Sequence, residues 1–175
     1  SPLKLYDCCP FSDGASSVVL CSEKFAKAHG GDYVEVIGSG RGGSPAALQG
    51  REHMTTIPST KIAAKAAYDM AGITAKDVDF AEVHDCFTIA EVVDTEDLGF
   101  FGKGQGIQAI REDRTKLNSD ISINPSGGLK SKGHPIGATG VGQVVEVYDQ
   151  LTGNAGARTV KDAKIGLTHN FGATG

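Results

Sequence analysis

Five histidines and four cysteines carry much of the proton-transfer and nucleophilic capacity of this 175-residue chain. Three short stretches concentrate it. His84-Asp85-Cys86-Phe87 directly follows the apolar run 78–83. His134 lies in Asn124-Pro-Ser-Gly-Gly-Leu-Lys-Ser-Lys-Gly-His134-Pro-Ile-Gly-Ala-Thr-Gly140, a loop with five glycines. His169 falls in Leu167-Thr-His169-Asn-Phe-Gly172. An imidazole titrates near neutral pH and can take a proton from a thiol. A thiol can act as nucleophile, or as acid and base once a positive neighbour lowers its pKa. Two histidines and a thiol in one crevice would suit that work. Plainer readings stand beside this one: His134 as an exposed residue of an ordinary glycine-rich turn, and Cys86 as a small core side chain. Metal binding by His84, Cys86, His134 and His169 is a third, although His-x-Cys is poor spacing for zinc. No metal is expected.

The elements that must position these residues alternate. Strands are expected over 17–21, 33–37, 78–83, 121–123 and 165–168. Helices are expected over 23–29, where Ser22 caps and Gly30-Gly31 stops, over 58–71, after Phe87, and over 141–151. In the last, Val141, Val144, Val145, Tyr148 and Leu151 form the apolar stripe; in 58–71, Ile62, Ala63, Ala66, Ala67 and Met70 do. After Phe87, Ala90, Val93 and Leu98 should face inward, with Glu91, Asp94 and Glu96 outside. Thr74 and Asp77 resemble a capping box. Such alternation implies α/β layers around one sheet. All three chemical stretches then fall at strand ends, where ligands bind in open α/β sheets. Gly38-Ser-Gly-Arg-Gly-Gly-Ser44 reads either as a surface crossover or as a ligand-lining loop with Arg41 open to an anion.

A chain this long buries roughly 70% of its unfolded surface, enough for one domain with a core. No apolar run approaches the ~18 residues of a membrane span. The net charge of −4 comes without a basic block, which argues against nucleic-acid binding. Cys8, Cys9, Cys21 and Cys86 show no zinc-type or disulfide spacing, so they read as reduced thiols in a cytoplasmic compartment.

Taken together, the stretches resemble the thiolases. Asn124 to Gly140 resembles their Gly-His-Pro region. Glu82-Val-His-Asp-Cys-Phe87 resembles the His-Asp-Cys-Phe motif of the sterol-carrier-protein or lipid-transfer-protein type, including archaeal and bacterial acetyl-CoA acetyltransferase-like members. Cys8 to Ser22 resembles the start of the C-terminal half, and Leu167 to Gly172 the last active-site loop. The four matches come in the family's order and cover nearly the whole chain.

The resemblance implies a thiolase-like α/β fold, one βαβαβαββ half with a mixed sheet flanked by helices. Residues 1–12 would be an entry segment. Residues 13–175 would be the C-terminal domain, truncated before the family's last strand. The implied activity is acyl transfer between coenzyme A thioesters, by Claisen condensation or thiolysis. Acyl-CoA is then substrate, and no cofactor is needed. By this likeness His134 activates a nucleophilic cysteine and helps form an oxyanion hole. His84 replaces the usual asparagine that orients a water there, and Cys86 moves the substrate α-proton. Phe87, Asn124, His169 and Gly172 would contact substrate. The nucleophile belongs to the family's N-terminal half and has no counterpart here, so a fragment or split subunit, inactive without that half, is expected. The full protein would be a homo-oligomer. A non-catalytic subunit for lipid transfer or scaffolding is the alternative.

Overall fold

The computed structural model describes residues 3–45 and 47–172. Its centre is a parallel sheet of three short strands, β1 (Phe80–Glu82), β2 (Ser122–Ile123) and β3 (Gly166–Thr168), in the order β2-β1-β3. Ala81 stands opposite Ile123 on one side and Leu167 on the other. Because all three strands run the same way, their carboxyl ends open on one edge. Phe80 is fully buried, and Gly166 makes room for its ring: a Cβ there would lie 2.4 Å from it. The core around the sheet joins Ala81, Val83, Ile121 and Ile123 with Ala64, Val78, Leu98, Phe101 and Ala109.

The helices begin and end where local chemistry places them. Ser22 accepts the Phe25 amide at the start of α1 (Glu23–His29). Pro58 opens α2 (Pro58–Ala71), and Gly72 closes it in the left-handed region at φ 68°. Thr74 and Asp77 form the capping box of the turn leading to β1. α3 (Thr88–Asp97) follows the β1 loop, and α4 (Gly106–Arg111) follows α3. α5 (Gly128–Lys132) is one turn inside the glycine-rich loop, and α6 (Thr139–Leu151) leaves it.

Three expectations are corrected. The sheet is parallel rather than mixed, and the runs 17–21 and 33–37 are not strands. Apolar composition marks both runs, yet among the described residues no ladder partner meets them, and Val19, Leu20 and Val36 lie exposed. The second run instead leads into an extended segment lying on α2. A Cβ on Gly38, Gly40 or Gly42 would stand 2.4, 1.9 or 2.0 Å from the carbonyl oxygens of Ala67, Ala63 and Ser59. Alternate residues of the segment thus meet successive turns of the helix, and only glycine permits that approach. Gly38, Gly40 and Gly42 therefore have a packing reason.

The buried helix faces also differ. Asp94, expected outside, is fully buried on α3. On α6 the buried side chains are Thr139, Gln143, Glu146 and Gln150, while Val144 and Tyr148 remain partly open. On α2, Ile62 and Met70 are exposed. Periodicity found each helix but not the face turned to this sheet. The buried polar groups of α6 are accommodated by specific partners: Gln150 takes the Val160 amide, and Glu146 pairs with Arg158 at 2.9 Å.

Candidate functional site

Three loops meet at the carboxyl edge of the sheet: 83–87 after β1, 124–138 after β2, and 169–172 after β3. Two buried carboxylates bind the first loop to the second. Glu82 accepts the Ser126 amide at 3.0 Å, the Ser126 hydroxyl at 2.6 Å and the Lys132 ammonium at 3.2 Å. Asp85 accepts the amides of Leu129 at 2.7 Å and Lys130 at 3.3 Å, in the first turn of α5. A carboxylate there meets free N–H groups and the positive end of the turn. Gly128 sits at φ 64°, where a Cβ would come 2.3 Å from Asp85 Oδ2. Gly128 thus lets the Asp85 carboxylate reach the loop.

The N-terminal segment crosses both loops. The Cys9 amide donates to the Cys86 carbonyl at 2.9 Å, and the His134 amide to the Pro10 carbonyl at 3.0 Å. Cys8 bridges Phe87, and Phe11 bridges His134. Residues expected only to enter the fold therefore join its two chemical loops. His134 also lines an open hollow of about 330 Å³ with Phe11, Ser12, Asp13 and Ile136.

His84 and His134 come together. Their rings meet edge to face, with centroids 4.9 Å apart. His134 Nδ1 lies 2.7 Å from Thr139 Oγ1, whose hydroxyl donates to the Pro135 carbonyl at 3.1 Å. Donation of the Thr139 hydroxyl to Pro135 goes with a His134 proton on Nδ1, the tautomer that keeps Nε2 as an acceptor. His84 Nδ1 lies 3.0 Å from Asn170 Oδ1, and the Asn170 amide nitrogen donates to Gln143 Oε1. That chain orients the Asn170 amide with its oxygen toward His84. Burial lowers the pKa of both histidines; the neighbouring His84 lowers that of His134 further, while the Asn170 hydrogen bond partly offsets the shift at His84. Both shifts favour the neutral ring.

Cys86 is half-buried in the same β1 loop. Burial, followed by the nearby Cys9 and Asp94, pushes its thiol up to about 11. It is a protonated thiol at neutral pH. Phe87 is about half exposed at the N-terminus of α3. Asn124 stands at φ 50°; its amide oxygen takes the Val83 amide at 2.8 Å, and its nitrogen donates to Glu91 at 3.1 Å. The side chain ties the β1 and β2 ends together. His169 is buried and turned toward the helices, with Nε2 3.0 Å from Thr60 Oγ1. Gly172 closes the described chain and is exposed. Among the described residues no three His, Cys, Asp or Glu side chains gather as a metal would require, so His84, Cys86, His134 and His169 do not form such a set.

Several working residues escaped the sequence reading. Thr139, five positions after His134, had a local signal in its spacing. Asp85 and Glu82 did not, because their partners lie 44 to 50 positions away. Glu91 is similar: burial, then Asp85, raises its carboxyl to about 7.

A family described as thiolase C-terminal domain-like matches residues 40–175. An acetyl-CoA acetyltransferase of Methanothermobacter thermautotrophicus is 48% identical over 174 residues, which are 99% of this chain and 45% of that protein. Human sterol carrier protein 2 is 39% identical over 190 residues, covering 99% of this chain and 32% of that protein. The chain thus spans less than half the length of these curated relatives. Among solved structures, an Ltp2-ChsH2(DUF35) aldolase superposes with a TM-score of 0.67 at 20% identity, over 75% of this chain and 34% of that one, a likeness of fold. No helix of the described residues is long and apolar enough to cross a membrane.

Proposed function

This chain belongs to the thiolase family, as a C-terminal-domain-like member related to archaeal acetyl-CoA acetyltransferases and to sterol carrier protein 2, and on that premise we propose that it supplies the acid–base half of an acyl-CoA acyltransferase site. The nucleophilic cysteine comes from the N-terminal half of such a protein. The observation that carries this reading is the His84–His134 pair at the carboxyl edge of the sheet, with His134 Nδ1 engaged by Thr139.

His134 takes the proton of the nucleophilic thiol as sulfur attacks the acyl carbonyl. Once protonated, it donates toward the oxygen on which negative charge develops. His84, fixed by Asn170, orients a water toward the same oxygen. Cys86, protonated at neutral pH, is set to deliver a proton to the α-carbon released in thiolysis, and to recover it in condensation. Asp85, Glu82 and Gly128 keep the two loops in register. Phe87 and the Gly172 backbone border the substrate. The test is acyl-enzyme formation by the chain combined with the N-terminal half of the archaeal relative. His134→Ala is expected to reduce the burst of acyl-enzyme at least 100-fold; an undiminished burst rules out the role given to His134.

A further inference from the structure

Behind the paired histidines lies a carboxylate that this chemistry does not use. Asp94 has no exposed surface, and among the described residues neither of its oxygens has a partner at full hydrogen-bond geometry. Its ion-pair contact is His169 Nδ1 at 3.4 Å. That nitrogen is likewise buried without a hydrogen bond. The other ring nitrogen, Nε2, meets the buried Thr60 hydroxyl at 3.0 Å. One imidazole is therefore clamped between α3 and α2.

A carboxylate removed from water is unfavourable without a partner of opposite charge or a donor. The other titratable groups acting on Asp94 are Asp97 and Glu91 on its own helix and Cys86 on the β1 loop. Each is an acid whose ionised form repels it. Burial, the largest effect, raises the Asp94 carboxyl; the His169 ring and then the His84 backbone amide oppose that rise and favour the charged form. The arrangement is best satisfied with the His169 proton on Nδ1, facing Asp94, and the Thr60 hydroxyl donating to Nε2.

The ring also anchors its loop. The His169 amide donates to the Glu82 carbonyl at 2.8 Å. The next two residues reach His84: Asn170 accepts from its Nδ1 at 3.0 Å, and the Phe171 ring meets it edge-on at 5.0 Å. We propose that Asp94 is a positioning residue, whose buried carboxylate fixes the proton and orientation of His169 and, through residues 170 and 171, the imidazole of His84. The bearing on catalysis rests on the acyl-transfer reading; the claim about the three side chains does not.

The test is side-chain nitrogen NMR of the histidines in the full 175-residue chain, with no partner half and no substrate. In the wild type at pH 8, His169 and His84 are each expected to carry their proton on Nδ1. Asp94→Leu, which removes the acceptor at similar volume, should shift at least half of the His169 population to the Nε2-protonated form and redistribute His84 as well. Asp94→Asn, which retains an acceptor oxygen, should restore both. Unchanged His169 and His84 tautomers in Asp94→Leu would overturn the proposal. Should that variant fail to fold, the wild-type spectrum decides: a His169 unprotonated at Nδ1 overturns it, and a protonated Nδ1 sustains it. If the tautomers move as expected while the assembled enzyme shows no acyl transfer, the positioning stands and the catalytic reading fails.

Discussion

Replacing Glu91 by glutamine should stabilise the chain above neutral pH. Glu91 lies in the first turn of α3, where burial and then Asp85 raise its carboxyl from 4.5 to about 7, with Asn124 donating the one hydrogen bond that opposes the rise. A carboxyl whose folded pKa exceeds its unfolded value binds more protons folded than unfolded. Its contribution is therefore full below pH 4.5 and declines as pH rises to about 7. Each tenfold change in an equilibrium is about 1.4 kcal/mol, so that interval corresponds to a loss of at most about 3 kcal/mol. Glutamine keeps an oxygen for the Asn124 amide but cannot ionise. Urea unfolding at pH 5 and pH 8 checks this. The variant should match the wild type within about 1 kcal/mol at pH 5 and exceed it by roughly 2–3 kcal/mol at pH 8. A wild type as stable relative to the variant at pH 8 as at pH 5 would mean that Glu91 does not titrate with a raised pKa.

Two further outcomes concern the loops. Gly128→Ala should destabilise the chain by about 2–4 kcal/mol, because the new methyl would displace the Asp85 carboxylate from the Leu129 and Lys130 amides at a backbone conformation that disfavours side chains; a urea midpoint within 1 kcal/mol of the wild type would contradict this. Cys86, with its thiol pushed up to about 11, should react with iodoacetamide roughly tenfold faster for each pH unit between 8 and 10. Peptide mapping by mass spectrometry would show this, and a rate independent of pH over that range would refute it.

Much of this was legible where the signal is local. Ser22, Pro58, Gly72 and the Thr74–Asp77 box mark element ends through contacts within a few residues, and the structure places the ends there. The three strand ends that carry His84, His134 and His169 follow from the same alternation. What was not legible depends on partners far along the chain. The runs 17–21 and 33–37 have strand composition, but a strand exists only with a neighbour, and composition names none. Asp94 reads as a surface acid on α3 until His169, 75 positions later, is folded against it. The α6 stripe shows the same limit: a helix period says that a face is apolar, not which layer covers it. Likewise, Gly38, Gly40 and Gly42 read as a loop until α2 is seen beneath them.

Coenzyme A release reads out the acyl transfer proposed for this chain without an intermediate step. The chain should be combined with the N-terminal half of the archaeal relative and given acetyl-CoA, with free thiol followed in time. Expected is catalytic release that needs both halves and falls at least 100-fold with His134→Ala or His84→Ala. A stable complex of the two halves that turns over no acetyl-CoA in either direction, or one whose rate is indifferent to both histidines, would contradict it.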